Sequence, residues 1–431
     1  MIDEARTQEA PQILSARGLL SAEKSKALME RLRSSVAPSD MLQRYGAVIE
    51  SVSGSPLTSG NRATLLVDGQ ATYAAMFKAM ENARDHINLE TYIIEDDETG
   101  RRFADLFVKK QAEGVQVNLI YDSRGSVGTP DTFFQRLRDA GVQVLAFNPV
   151  NPLNARVPWS LAHADHRKIL IADGKVVITG GINISEVYSS RLSGRRRREK
   201  TKTPWRDTDV QIEGPVVAEF QKLFLETWRL QKGAKLAERD YFPDASAAGT
   251  ALVRAVASSP GESNRLTFVL YVAAIAFAEH SLHLTIAYFV PDGETVQALR
   301  AAAGRGVDVQ LVLPGNTDSS LTVNAGRYHF SKLLRSGVKI YERRDVLLHA
   351  KTAVVDGVWS TVGSTNMDFW SFSRNDEVNA VILSREFAAE MEQLFARDVA
   401  GSREILLEEW ERRPVFQKVK EWFAHRLERW L

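Results

Sequence analysis

The chain of 431 residues contains no cysteine. That removes disulfides, thiolate catalysis and cysteine-ligated metals together, and it fits a reducing compartment. Charge of one sign is not in excess either. Lys and Arg number 55 against 54 Asp and Glu, a formal net charge of +1. No global field steers such a protein to nucleic acid or membrane, so any attraction of that kind must come from local clusters. Long apolar runs are also missing. The most apolar stretch, Leu266 to Ala278, lies between Arg265 and Glu279 and has 13 residues. A bilayer needs roughly 20, so this stretch is expected to be a buried helix. The first residues, Met1 to Ala10, have no apolar core behind a basic start, so no secretory signal is expected and the cytoplasmic side of the membrane follows by default. The 44% apolar and 25% charged fractions are those of a folded protein, and the length suits two domains with appendages.

What the sequence does have is a repeat. His166, Lys168 and Asp173 are followed by Gly180, Gly181 and Asn183; at the same spacing, His349, Lys351 and Asp356 are followed by Gly363, Ser364 and Asn366. A chance match at six such positions is on the order of 10⁻⁸ per start, so the pair records a duplication. The surrounding elements repeat as well. Strands are expected at Ile87 to Ile93 and Val115 to Tyr121, with helices at Ala71 to Asp85 and Gly100 to Glu113. They are echoed by strands at His283 to Val290 and Val307 to Leu313, with helices near Tyr271 to His280 and Glu294 to Gly304. Tyr92 and Tyr288 fall at matching strand ends. Alternating strands and helices predict an α/β fold with a mixed, largely parallel sheet flanked by helices. The expected layout is a helical extension and linker over 1–60, domains over 61–240 and 250–400, and an amphipathic helix over 401–431. The Ser/Gly/Pro-rich stretch Ser51 to Asn61 is expected to be loop, and Ser21 to cap a helix carrying Leu28, Met29 and Leu32.

From each His to each Asp the pattern is that of a strand, so with period two His166 and Lys168, and His349 and Lys351, project from one face. The Asp-Gly pairs that follow signal tight hairpin turns. Two imidazoles, two ammonium groups and two amides are what transfer at a phosphodiester requires. The lysines and Asn183 and Asn366 can cradle the oxygens, with Gly181 and Ser364 beside them. One imidazole can attack phosphorus while the other protonates the leaving alcohol. No cofactor or metal is required. Asp173 and Asp356 are candidates for this chemistry, with a turn-capping role as the alternative. His163, three residues before His166, makes a weak metal pattern, and a satisfied loop histidine is expected. His280, His283 and His329 belong to no constellation in the sequence.

These paired motifs resemble the phospholipase D superfamily, and within it the bacterial cardiolipin synthases. The likeness runs over roughly residues 60 to 431 and includes Leu89 to Ile93, Trp205 to Thr208, Ile212 to Pro215 and Arg374 to Glu377. It implies two similar domains about a pseudo-twofold axis, with one active site at the seam. It also implies a carboxylate after each motif that orients a histidine, Glu377 in the second half and Asp207 in the first. By the same likeness His166 is the nucleophile and His349 the acid, phosphatidylglycerol is the substrate, and membrane association is peripheral. A hydrolase releasing phosphatidic acid and a metal-independent nuclease remain as alternatives. Two departures stand out: Gly181 faces Ser364 in the repeat, and Asp209 occupies a place where many relatives have His, which is expected to alter the charge of the pocket.

The first half also carries an insertion. His166 to Asp207 spans 41 residues and His349 to Glu377 only 28. The excess holds Arg191, Arg195, Arg196, Arg197, Arg198, Lys200, Lys202 and Arg206 against Glu199 alone. Near anionic lipid each such cation is worth about 1 kcal/mol. Nucleic acid would satisfy the same charges, and lipid is favoured on the family likeness. At the C-terminus Val415, Phe416, Val419, Trp422, Phe423, Leu427, Trp430 and Leu431 line one side of a helix begun near Pro414, with Lys418, Lys420, Arg426 and Arg429 opposite. Such a helix suits a membrane interface or packing against the second domain or a partner subunit, and the sequence leaves both readings open.

Overall fold

A computed structural model describes residues 12–33, 40–52, 54–151, 155, 160, 163–189, 203–261, 265–317 and 319–428. Arg195, Arg196, Arg197 and Arg198, with the rest of the basic insertion from Arg191 to Lys202, lie outside the described residues, as do Arg429, Trp430 and Leu431.

Among the described residues, seven strands of the first half match seven of the second. The first has β1 (Leu57–Val67), β2 (His86–Thr91), β3 (Gln116–Asp122), β4 (Gln143–Phe147), β5 (Ile169–Ala172), β6 (Val176–Gly180) and β7 (Thr208–Glu213). The second has β8 (Ala251–Ser258), β9 (Ser281–Ile286), β10 (Asp308–Pro314), β11 (Lys339–Arg343), β12 (Lys351–Val355), β13 (Trp359–Gly363) and β14 (Asn375–Leu383). Pairing gives the orders 4-3-2-5-6-7-1 and 11-10-9-12-13-14-8. Every strand thus has its counterpart seven numbers on. The main parallel runs are β2, β3 and β4 and β9, β10 and β11, where helices make the crossovers. The motif hairpins and the strands beyond them run antiparallel, because three-residue turns can only reverse the chain.

The halves join edge to edge, with β1 pairing antiparallel to β8. This is why β1 begins at Leu57, inside the stretch expected to be loop: Thr58 and Asn61 are buried at the join, Thr58 donating to the Val253 carbonyl. One apolar cluster spans the seam. It holds Ile120, Ile169, Val210 and Phe220 of the first half with Val253, Val362, Ala380 and Ile382 of the second. The N-terminal helices Ala22–Arg33 and Met41–Val52 pack on the more distant second half. Met29, Met41, Tyr45 and Ile49 share its core, and Tyr45 meets Trp359 edge-on at 5.4 Å. Ser21 accepts from the Lys24 N–H as expected of a cap. Leu266–Phe277 is a helix with its apolar residues mostly buried, and no helix among the described residues is long and apolar enough to cross a membrane.

Candidate active site

Regular strand pairing begins at Ile169 and at Lys351, so His166, Lys168 and His349 precede the strands rather than lying within them. The reason is the use made of their backbones. The His166 N–H donates to the Asp376 carbonyl at 2.9 Å, and the His349 N–H to the Arg206 carbonyl at 2.8 Å. Short parallel pairings back this exchange, Ala164–Asp165 with Asn375 and Asp376, and Trp205–Arg206 with Leu347 and Leu348. Each motif histidine is therefore held by the segment that immediately precedes the other half's carboxylate.

The carboxylates follow the same crossed pattern. His166 Nδ1 sits 3.0 and 3.1 Å from the two oxygens of Glu377, and His349 Nδ1 sits 2.7 Å from Asp207 Oδ2. With Nδ1–H donating to a carboxylate, Nε2 keeps the lone pair. Both rings are buried, and both line a single cavity of about 370 Å³ together with Asn183, Asn366, Tyr92 and Tyr288. A larger cavity of about 770 Å³ lies beyond Arg167 and contains neither motif imidazole. We assign the chemistry to the smaller one.

Burial governs the protonation states. It lowers His166, helped by Lys168 and opposed by Glu377, and brings His349 down to about 4 with help from Lys351. Burial also draws the Lys168 ammonium down to about 7. It pushes Glu377 and Asp207 up, but the adjacent histidines and lysines outweigh it and both carboxyls end below their ordinary range. Lys168 donates to the His166 carbonyl at 2.5 Å and lies over the Tyr92 ring; Lys351 Nζ is 2.9 and 3.0 Å from the two ring nitrogens of His349. The result is a pocket with carboxylates behind neutral imidazoles and cationic groups beside them, which suits an anionic ligand.

Several expected site residues sit elsewhere or act differently. Asp173 accepts from the backbone N–H groups of Arg84, Asp85 and His86, and Asp356 from those of Glu279, His280 and Ser281. Both lie at the far ends of β5 and β12, in turns where Asp173, Gly174, Asp356 and Gly357 all have positive φ. They staple the hairpins to β2 and β9 and stay away from the cavity. Ser364 does not face the ligand space either: its hydroxyl donates to Glu377. A Cβ on Gly181 would lie 2.3 Å from Asp207 Oδ1. The shorter carboxylate needs a closer backbone, so the Gly181/Asp207 and Ser364/Glu377 differences are one difference. Asn183 and Asn366 use their carbonyls on the N–H groups of Ile93 and Tyr288.

Asp209 does not line the cavity and is mostly protonated at neutral pH, so it alters the pocket's charge less than expected. Burial, then the charge of Asp207, pushes it up to about 8. Arg206 is likewise not a loop cation: it is buried and bidentate on Asp398 of the second half. His163 is satisfied by Asp376 at 2.9 Å. Tyr188, whose hydroxyl reaches His349 Nδ1 at 3.4 Å, and Arg124 and Trp370 at the cavity wall were not singled out from the sequence. No repeat marks them, whereas the matched places of Tyr92 and Tyr288 were a usable signal.

Known proteins share this frame. A family model described as "Cardiolipin synthase, PLD-like domain" matches residues 76–193 and 271–399, one stretch in each half. Cardiolipin synthase 1 of Bacillus cereus is 31% identical over 384 residues, 87% of this chain and 74% of its own length. Cardiolipin synthase A of Pseudomonas fluorescens is 35% identical over 356 residues, 82% of this chain and 72% of its own. Among solved structures, the phosphatidylserine synthase of Haemophilus influenzae covers 90% of this chain and 100% of its own with a TM-score of 0.63 at 14% identity, a likeness of fold.

Proposed function

The chain belongs to the cardiolipin synthase family of phospholipase D-like enzymes, and from that premise we propose how its residues transfer a phosphatidyl group between two phosphatidylglycerol molecules. The observation that carries the proposal is the pair of motif imidazoles lining one cavity, each backed by a carboxylate from the opposite half. His166 Nε2 attacks the phosphorus of the first phosphatidylglycerol. The P–O bond to the head-group glycerol breaks, and that oxygen takes a proton from His349. Burial and Lys351 hold His349 neutral in the free enzyme, so the arriving phosphodiester anion is what raises its proton affinity to the level the acid role needs. Lys168, Lys351 and the amides of Asn183 and Asn366 balance charge on the phosphoryl oxygens. The hydroxyl of a second phosphatidylglycerol then returns its proton to His349, attacks phosphorus and breaks the P–N bond. The products are cardiolipin and glycerol, and His166 is regenerated.

Peripheral association with the cytoplasmic membrane face belongs to the same proposal. The helix Val415–Arg426 leaves Val415, Phe416, Val419, Trp422 and Phe423 exposed, with Lys418 and Lys420 on the same helix, while Glu421 and Ala424 face the protein. It packs on the helix Ser320–Arg327, whose Thr322 lines the cavity, so the apolar face lies beside the site. Incubation of purified protein with phosphatidylglycerol vesicles tests the reaction. Cardiolipin plus glycerol is the expected outcome; phosphatidic acid as the main product would move the assignment to hydrolysis, and DNA cleavage without lipid turnover would overturn it. Trapped label on His349 in place of His166 would reverse the two roles.

A further inference from the structure

We propose that His329, His425 and Glu428 form a divalent transition-metal site of the zinc type that clamps the C-terminal helix to the second half. One nitrogen from each imidazole and one Glu428 oxygen all lie within 4.8 Å of one another. The residues come from two places: His329 opens the short helix Phe330–Leu334, and His425 and Glu428 end the chain's last described turn, three residues apart and so on one face.

Three observations point to an ion. His329 is 5% exposed, and among the described residues neither of its ring nitrogens has a hydrogen-bond partner. A neutral imidazole brings one N–H and one lone pair inside, and buried polar atoms left unpaired in a folded protein call for a partner. A metal ion on the lone pair supplies one. His425 Nδ1 lies 2.7 Å from Glu428 Oε2, yet their alignment is not that of a hydrogen bond. The His425 ring is also held in place: Tyr328 stacks on it at 3.9 Å and 9°, and His329 meets it edge-on at 5.1 Å. Two imidazole nitrogens and a carboxylate oxygen are a donor set that zinc accepts, leaving a fourth position for water. Donors in a tetrahedral zinc site sit about 3.3 Å apart, so binding closes the widest separation in the cluster by up to about 1.5 Å while His425 and Glu428 part slightly. Glu428, on the partly exposed side, is the group able to move.

The consequence is mechanical. Among the described residues, the apolar contact beneath the helix Val415–Arg426 is small, a cluster of Val290, Ala325 and Ala424. Arg413, just ahead of its start, adds a bidentate pair with Glu421. An ion at the other end fixes the helix at both ends. This inference is independent of the transferase reading, because no cleft residue takes part.

The test uses the full chain stripped with chelator and titrated with Co2+, then Zn2+. The wild type is expected to bind one Co2+ per chain with the intense visible absorption of four-coordinate cobalt, and Zn2+ should displace it. His425→Asn and Glu428→Gln should each weaken binding at least tenfold. Glu428 is partly exposed, so its variant folds even if one at buried His329 does not. A His166→Ala/His349→Ala variant controls for binding in the cleft and should keep the signal. Zn2+ should also slow tryptic cleavage at Lys418 and Lys420 in the wild type and not in Glu428→Gln. The proposal fails if the wild type shows no stoichiometric site, if the signal follows the cleft variant, or if zinc leaves the cleavage rate unchanged.

Discussion

Replacing Asp209 by Asn should stabilise the protein, and increasingly so as pH rises. Asp209 pairs with Gly180 across β6 and β7, the place that Asn379 takes opposite Gly363 in the second half. Asn379 is a neutral amide that donates to Thr361 and Tyr271 and accepts from Thr365. Asp209 does the corresponding job as a protonated acid, with Oδ1 accepting from the Ile182 N–H at 3.1 Å and the carboxyl pushed up to about 8. An aspartate in the unfolded chain titrates near 3.9, at about 1.4 kcal/mol per pH unit. The folded value is the higher one, so the stability this group confers is present in full below about pH 4 and is lost as pH climbs to about 8. At pH 7 the loss is on the order of 4 kcal/mol as an upper figure, against about 1.5 kcal/mol at pH 5. Asn escapes it. Urea denaturation of both proteins at pH 5, 7 and 8.5 reads the difference, which should widen with pH and level off above 8. Turnover at pH 7 should stay within about twofold, since Asp209 does not line the cavity. A difference flat across that range, or an Asn variant less stable at pH 8.5, would refute the reasoning.

Other substitutions probe other joints. Asp173→Ala leaves three backbone N–H groups without their acceptor and should cost about 2–4 kcal/mol in thermal or urea unfolding, with turnover per folded molecule retained; abolished turnover in a fully folded variant would return Asp173 to the chemistry. Gly181→Ser drives a Cβ into Asp207, so steady-state turnover should fall at least tenfold while Ser364→Gly, which removes a donor to Glu377 and an acceptor for the Val378 N–H without forcing any atom aside, is milder. Equal effects of the two would show that the halves do not differ in this respect. Trp422→Ala with Phe423→Ala should weaken sedimentation with anionic vesicles at least tenfold, each aromatic being worth about 1.5–3 kcal/mol when buried; unchanged sedimentation would remove this helix from the membrane role.

What could be read from the chain was whatever the duplication wrote twice. The hairpins, the Asp-Gly turns and the strand–helix alternation carry local signals of spacing and turn chemistry, and the structure has them within a few residues. The crossed dyads left no such mark. Asp207 and Glu377 lie downstream of their own motifs at plausible distances, and nothing local says that each serves the other half's histidine. That choice is made by the seam, where β1 pairs with β8 and the two short parallel pairings deliver Asp376 and Arg206 to the opposite motif. The same limit applies to the N-terminal helices, whose thin apolar stripe says that they pack but not on which half. It applies to Leu57 to Asn61 too, where a composition typical of loops becomes strand because two sheet edges need a shared partner. Asp173 illustrates a different limit. Its recurrence with the His and Lys made it look chemical, yet duplication copies structural staples as faithfully as catalytic groups. Only the three N–H groups converging on each carboxylate separate the two. A site built across a pseudo-twofold seam therefore has its residue types written in the sequence and its pairings written in the contact between halves, so an isolated half would carry a motif histidine without the carboxylate that orients it.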